Sequence, residues 1–155
     1  MNNNEVISIL DDLIETCRKG QEGFRNAAES MQNIEFRRLF NIFSQQRTQF
    51  MTELQAEVHR LGGDANQGKD TAKDTAAALP SNTLPFRTAA ATRSAGIRDE
   101  ASIIAECQRE EEAAVNDYQE ALKADLPLDV QYVVKRQYMD IKDAYDRIRI
   151  LQRAA

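Results

Sequence analysis

The feature that most constrains the fold is a set of four segments in which mostly apolar residues recur at steps of four and three. This spacing places them along one side of an α-helix. The first two series are Val6, Leu10, Leu13, Cys17, Gly20, Phe24, Ala27, Met31, and Phe36, Leu39, Phe43, Gln46, Phe50, Leu54, Val58, Leu61. The other two are Ile103, Cys107, Glu110, Ala114, Tyr118, Ala121, and Val130, Val134, Gln137, Ile141, Ala144, Ile148, Leu151. Because no segment shows a strand pattern, an all-α fold is predicted.

The connections between these helices predict their topology. Asn33 is placed to cap the second helix, Gly62 and Gly63 to end it, and Pro127 to separate the third helix from the fourth. Short connections make helices one and two, and helices three and four, antiparallel hairpins. The connection at about 62–98 can run back along helices roughly 40 Å long. The predicted architecture is one domain, 1–155, a ferritin-like four-helix bundle of two antiparallel helical hairpins joined by one long crossover. Four up-and-down helices with a long loop are the alternative.

The crossover itself differs in composition from the four helical segments. It is rich in Ala and Thr and contains Pro80 and Pro85. A short helix near 71–79 is predicted, with irregular structure elsewhere. Its mildly basic balance favours a solvated strap over a binding segment.

Composition and charge exclude several classes of function. The net charge of −5 argues against a domain-wide nucleic-acid surface. No apolar run approaches the roughly 18 residues of a membrane span, and the N-terminus lacks the pattern of a signal peptide. Cys17 and Cys107 are isolated in sequence, which suits a reducing compartment. A cytoplasmic protein without nucleic-acid or membrane partners is predicted, and a disulfide between the two cysteines is the less favoured alternative.

The stretch AECQREEEAAVNDYQEAL, 105–122, raises the question of a metal site because it carries three consecutive carboxylates at 110–112. A carboxylate-bridged di-iron site in a bundle needs a Glu from each of two helices and a Glu-x-x-His from each of the other two. The i, i+3 spacing matters because both ligands then project from one helical face. The sequence has one histidine, His59, and the residue three before it is Ala56. No metal site or other cofactor is therefore predicted.

The middle of the four series is nevertheless polar, with Cys17, Gln46, Glu110 and Gln137 at the central positions. A polar layer of this kind can fix the register of a bundle. Glu110 is predicted to face inward and is the weak candidate metal ligand, whereas Glu111 and Glu112 are predicted to lie on the flank or in solvent. An atypical metal site and a small-ligand pocket are the alternatives to a structural layer.

No catalytic residues are predicted. The sequence contains neither a Gly-rich phosphate loop nor a defensible Ser/His/Asp pattern. His59, close to the predicted end of the second helix, is interpreted as a surface residue favourably placed for the helix dipole.

Four stretches carry a resemblance to a known family: ILDDLIETCRKGQEGFRNAAE, QFMTELQAEVHRLGG, ASIIAECQREEEAAVNDYQEALKADLP and YDRIRILQ. Together they resemble a bacterial family of small four-helix-bundle proteins that is placed in the ferritin-like superfamily and labelled a domain of unknown function. The resemblance covers 5–63 and 99–153. The chain is more distantly similar to stress-associated ferritin-like bundle proteins. The resemblance implies a cytoplasmic helical protein that self-associates and has no assigned activity.

Compared with metal-binding ferritin-like proteins, the sequence departs at the ligand positions. Cys17 replaces the first-helix Glu, Gln46 and Gln49 replace one Glu-x-x-His, Lys142 and Tyr145 replace the other, and Glu110 alone is retained. The crossover also lacks the amphipathic, aromatic-containing segment usual in the relatives. A non-enzymatic bundle in a structural or stress-linked role is therefore predicted. A metal- or oxygen-handling protein with an atypical carboxylate site is the alternative, and DNA protection is disfavoured by the acidic balance.

A homodimer is also predicted, because some apolar residues lie outside the four series. These residues are Ile7, Ile14, Phe40, Met51, Tyr138 and Tyr145. Exposed apolar patches usually mark interfaces, and two-fold dimers are the commonest oligomers. Helices one and two are the predicted contact. The alternative is a monomer in which these residues widen the core.

Overall fold

Four long helices make up the part of the chain that a computed structural model describes, 2–63 and 100–154. They are α1 (Asn3–Ser30), α2 (Ile34–Arg60), α3 (Glu100–Leu122) and α4 (Leu128–Ala154). No strand occurs in these two stretches, so the predicted all-α class is confirmed. None of the described helices is long and apolar enough to cross a membrane. The predicted short helix near 71–79, and most of the crossover, lie outside the described residues.

The end of α2 shows why the helix stops where the sequence predicts. Gly62 adopts φ of 88°, the left-handed region that glycine enters without strain. Its N–H donates to the carbonyl oxygen of His59 at 3.0 Å, and the N–H of Gly63 donates to that of Val58 at 2.8 Å. This pair of bonds is the Schellman motif, which satisfies carbonyls at a helix C-terminus. At the other end of α2, the side chain of Asn33 caps the helix as predicted.

Contacts at the two ends of the bundle establish the direction of each helix. One carboxylate oxygen of Glu100, at the start of α3, accepts the backbone N–H groups of Gln32 at 2.6 Å and Asn33 at 2.8 Å. At the opposite end, Arg60 of α2 pairs with Asp129 of α4 at 3.4 Å. The helices therefore run up, down, down and up, and the connection between 63 and 100 joins opposite ends of the bundle. The predicted ferritin-like topology with one long crossover is confirmed.

The core forms two clusters, one toward each end of the bundle. The larger lies toward the start of α1 and the end of α2, and the smaller lies toward the α1–α2 turn. In the smaller cluster, the rings of Phe24, Phe40 and Phe43 pack with centroids 5.3–6.0 Å apart. Cys17 is buried in the larger cluster and Cys107 in the smaller, and no disulfide joins them.

The extra apolar residues that suggested a dimer are not exposed. Phe40 is fully buried. The others, Ile7, Ile14, Met51, Tyr138 and Tyr145, are partly buried and pack against the larger cluster. They widen the core stripes of their helices and form no exposed face on α1 and α2. The homodimer itself stays a prediction.

Candidate functional site

A buried ion pair lies in the middle of the bundle, at the level between the two core clusters. It joins Arg47 of α2 to Glu111 of α3, whose side chains are 1% and 2% exposed. Arg47 Nη1 donates to Glu111 Oε1 at 2.7 Å, and Nη2 donates to Oε2. This forked arrangement satisfies both carboxylate oxygens, and it is the geometry that lets two charges remain paired away from water.

The surroundings of Arg47 hold its guanidinium in place. Its central carbon lies 5.1 Å from the ring centroid of Phe24 and 6.0 Å from that of Phe50, so both rings can stabilise the cation. Gly20 of α1 leaves room for it, since a Cβ there would lie 3.2 Å from Nη1. Burial lowers the pKa of Arg47, but the charge and hydrogen bonds of Glu111 outweigh burial, and the pKa is raised overall. Arg47 is therefore a permanent cation inside the bundle.

A chain of polar groups, neutral except for Glu53 at its end, continues this layer across all four helices. Cys17 Sγ lies 3.1 Å from the hydroxyl of Tyr118, which donates to Gln137 Oε1 at 2.7 Å. Gln137 Nε2 in turn donates to Glu53 Oε1 at 2.8 Å and to the carbonyl oxygen of Phe50 at 3.3 Å. Because each link needs its partner at the same height, the chain supports the predicted role of a polar layer in setting register.

The cysteine and tyrosine of this chain stay protonated near neutral pH. Burial raises the pKa of Cys17 to about 11, although the hydrogen bond with Tyr118 and the charge of Arg47 act against it. Burial, followed by the interaction with Cys17, raises the pKa of Tyr118 well above its ordinary value. Since the thiolate is the reactive form of cysteine, the Cys17 thiol is a poor nucleophile near neutral pH.

The predicted polar layer is half correct. Cys17 and Gln137 lie in the interior, but Gln46 is only half-buried and has no contact in the hydrogen-bonded chain described above. The prediction for α3 is wrong: Glu110 is exposed, and Glu111 is the buried carboxylate. In α3 the buried series continues from Cys107 by a step of four residues, to Glu111, and not by a step of three, to Glu110. A series of mixed steps of three and four fits either position equally well.

Sequence reasoning also missed Arg47. Its signal was present, because Phe43, Arg47, Phe50 and Leu54 follow the same alternation of four and three as the predicted seam. An arginine is normally assigned to the surface, since Lys and Arg are almost never fully buried unless paired. The pairing with Glu111, 64 positions further along the chain, is what permits its burial.

The positions aligned with metal ligands do not come together. Gln49, Lys142 and Glu110 are exposed, and Tyr145 is half-buried. The histidine His59 is also exposed, at the end of α2. No group of three or more Asp, Glu, His or Cys side chains within 2–63 and 100–154 has the geometry to hold a metal ion.

A groove between α1 and α3 passes over the ion pair. It encloses about 330 Å³, with Lys19, Gly20 and Phe24 on the α1 side and Glu110, Glu111 and Asp117 among the residues on the α3 side. Partial desolvation at the wall of the groove, and then the charge of Glu106, raises the pKa of Glu110, although the residue as a whole is exposed. Both oxygens of Glu111, at the floor of this groove, accept hydrogen bonds from Arg47. A ligand in the groove would therefore compete with Arg47 for this carboxylate.

Comparisons with known proteins identify the family and the fold. The family model described as Domain of unknown function (DUF2383) matches residues 5–124, most of the chain, and ends before α4. No curated protein matches. Among solved structures, the chain is similar to a two-domain protein from Anabaena variabilis with DJ-1/ThiJ/PfpI-like and ferritin-like domains, at a TM-score of 0.74 and 14% identity. The match covers 99% of this chain and 37% of that protein, and at this identity it shows the fold alone.

Proposed function

The chain belongs to the DUF2383 family and has a ferritin-like fold, and from this premise we propose that it is a non-enzymatic, metal-free bundle that acts by self-association or protein interaction. A structural or stress-linked role in the cytoplasm is part of this proposal. The single observation that carries it is the Arg47–Glu111 ion pair in the interior of the bundle.

The chemistry of the interior side chains does not fit a carboxylate-bridged metal pair. Such a site gathers several carboxylates and imidazoles around its cations. Here a guanidinium lies at the centre and repels a second cation, and the carboxylate beside it is neutralised by Arg47. The other groups of the polar layer are a protonated thiol, a protonated phenol and an amide that donates to Glu53, whose carboxylate also pairs with Arg136. The buried carboxylate of Glu57, nearer the end of α2, pairs with Arg60.

Iron loading tests the proposal against its alternative, metal or oxygen handling at an atypical carboxylate site. Protein purified without chelator would be loaded anaerobically with ferrous ion, desalted and examined by elemental analysis. We expect well under about one iron per chain, because a di-iron site needs ligands that this interior lacks. Retention of about two irons per chain together with ferroxidase activity would refute the proposal.

The variants Glu110→Gln and Glu111→Gln locate any iron that is retained. Loss of iron in Glu110→Gln alone would assign it to the groove between α1 and α3, where Glu110 lies. Loss in Glu111→Gln alone, in protein that circular dichroism shows to be folded, would show that the ion pair opens to admit metal. Either result would support the alternative function.

A further inference from the structure

Exposed apolar side chains are concentrated on one face of α4. Leu128, Tyr132, Met139 and Ile150 are 80%, 69%, 61% and 62% exposed. Their spacings of 4, 7 and 11 residues place all of them within an arc of about 40°, at 100° per residue. The arc runs for about 33 Å, at 1.5 Å per residue. We call this the α4 face, and it includes the charged residues Lys135, Asp143 and Asp146 that lie between its apolar residues.

The α4 face is symmetric about Met139. Leu128 lies eleven residues before Met139, and Ile150 lies eleven residues after it. If two copies of α4 pack antiparallel about a two-fold axis at Met139, Leu128 of each copy meets Ile150 of the other. Tyr132 and Asp146, each seven residues from Met139, also come opposite each other, so the phenol can donate to the carboxylate. The two-fold dimer requires such a self-complementary surface.

The charges on the α4 face favour this antiparallel arrangement. Lys135 precedes Met139, whereas Asp143 and Asp146 follow it. Antiparallel packing brings Lys135 of one copy near the acidic half of the other. Parallel packing about a two-fold axis would instead place each charge against its own copy, which is destabilising. Within 2–63 and 100–154, the ion pairs of these acidic side chains are exposed and lie inside α4, Asp143 with Arg147 and Asp146 with Arg149, and such pairs are weak.

We propose that the α4 face is the interface of a symmetric, antiparallel homodimer. The occupant of the face is a second copy of this chain. The inference rests on the proposed function, because it names the partner and the surface of the self-association proposed above. It moves the contact from helices one and two, whose extra apolar residues are directed into the core, to α4.

Sedimentation equilibrium over the micromolar range tests the interface with one substitution and a matched control. Met139→Lys would place two ammonium groups beside the two-fold axis, and we expect the dimer to weaken at least about tenfold. Because Met139 is largely exposed on the single chain, the helical circular dichroism should not change. Ile42→Lys, at an exposed apolar position on α2, should leave the dimer intact.

The outcomes separate the interface from the proposed function. A wild-type mass of 17.5 kDa at every concentration would overturn both self-association and the interface. A dimer that survives Met139→Lys would overturn the α4 interface and leave self-association standing. A dimer lost in Met139→Lys and kept in Ile42→Lys supports both.

A charge exchange tests the direction of packing. Lys135→Glu and Asp143→Lys should each weaken the dimer, because 135 and 143 each lie four residues from Met139 and come opposite each other in the antiparallel register, so either substitution brings like charges together. The double variant should recover dimerisation, since opposite charges again face each other between the copies. Failure of the double variant to recover would overturn the antiparallel arrangement.

Discussion

The Arg47–Glu111 pair makes each of its residues depend on the other. Both side chains are removed from water, and neither has another charged partner at hydrogen-bond distance within the described stretches. A buried charge left alone keeps its desolvation penalty without the compensating attraction. Loss of one partner is therefore far more costly than loss of a surface charge, whereas loss of both together is not.

Two neighbouring carboxylates on α3 provide a matched test of this dependence. Glu111→Gln should lower the free energy of unfolding by about 3–5 kcal/mol, because Arg47 would remain buried without a counterion. Glu110→Gln changes an exposed side chain and should stay within about 0.5 kcal/mol of the wild type. Urea unfolding measures both. Equal effects of the two substitutions would show that the buried pair is not a coupled unit.

The double variant Arg47→Met with Glu111→Leu tests whether the ion pair as a whole stabilises the fold, apart from the need of each charge for its partner. Buried ion pairs replaced by apolar side chains of similar volume are often neutral or stabilising. We expect the urea concentration at the unfolding midpoint of the double variant to equal or exceed that of the wild type, and its helical circular dichroism to be retained. A loss as large as that of Glu111→Gln would mean that the pair contributes net stability.

Cys17 makes stability depend on pH in the alkaline range. Its pKa is raised by burial from 9.0 to about 11, so the folded protein keeps the thiol proton after the unfolded chain has lost it. The contribution is fully present below pH 9 and is lost as the pH rises toward 11, by up to about 2–3 kcal/mol. Cys17→Ser can keep a hydrogen bond to Tyr118 but does not ionise. Urea unfolding at pH 7–10 should therefore show a flatter decline in the serine variant, and parallel declines would contradict this.

Individual interior residues were only partly predictable from the sequence. The assignment of Cys17 and Gln137 to the polar layer is correct, because the helical spacing from the buried residues before and after each of them leads to the same inward position. Glu111 was not assigned to it, because the neighbouring Glu110 fits the same spacing and carries the same chemistry. Only the contact with Arg47, on a helix distant in sequence, decides between them.

At the scale of the helices, two glycines of α1 show how the same residue can meet different neighbours. A glycine inside a helix is about 1 kcal/mol less favourable than alanine. A Cβ at Gly20 would lie 3.2 Å from Nη1 of Arg47, which the fork with Glu111 holds in place. A Cβ at Gly23 would lie 2.7 Å from the carboxylate end of Glu110, an exposed side chain that can move away.

The two glycine-to-alanine substitutions should therefore differ. Gly23→Ala should raise the free energy of unfolding by about 0.5–1 kcal/mol through helix propensity. Gly20→Ala should gain less than this or lose stability, because Arg47 cannot shift without weakening its bonds to Glu111. Thermal unfolding of the two variants under the same conditions gives the comparison. Equal gains would show that Arg47 can adjust freely.

Helix boundaries were the most predictable feature at this scale, because they depend on local chemistry. Asn33 caps α2, Gly62 ends it with a left-handed backbone, and Pro127 precedes α4. One local signal was missed. Asn2 and Glu5 form a capping box at the start of α1, and their three-residue spacing was visible in the sequence.

At the scale of the whole molecule, the topology was predictable from the lengths of the connections. Short connections require antiparallel neighbours, and a long one permits the return to the other end of the bundle. The exposed surface was not predictable in the same way. An apolar residue one step from a seam, such as Ile7 or Tyr138, can either widen the core or face solvent, and the packing of adjacent helices decides which.

The two hairpins are held together at one end of the bundle by Glu100. Its carboxylate accepts backbone N–H groups from Gln32 and Asn33, in the turn between α1 and α2. These bonds satisfy two donors outside the regular helices and join residues far apart in sequence. At the other end, Asp129 contacts Arg60 only through an exposed ion pair of 3.4 Å, which is worth little.

Glu100→Gln should therefore destabilise the molecule more than Asp129→Asn, although both replace an acidic residue in the first turn of a helix. Both variants lose a favourable interaction with the helix dipole, about 0.3–1 kcal/mol, so this loss is matched. Glu100→Gln also weakens two charge-assisted hydrogen bonds, and we expect a further loss of about 1–2 kcal/mol. Urea unfolding measures the difference, and amide hydrogen exchange should show faster exchange at Gln32 and Asn33 in Glu100→Gln alone. If both variants lose the same stability and exchange at these amides is unchanged, Glu100 does not join the hairpins, and the core packing between them is sufficient to hold the bundle together.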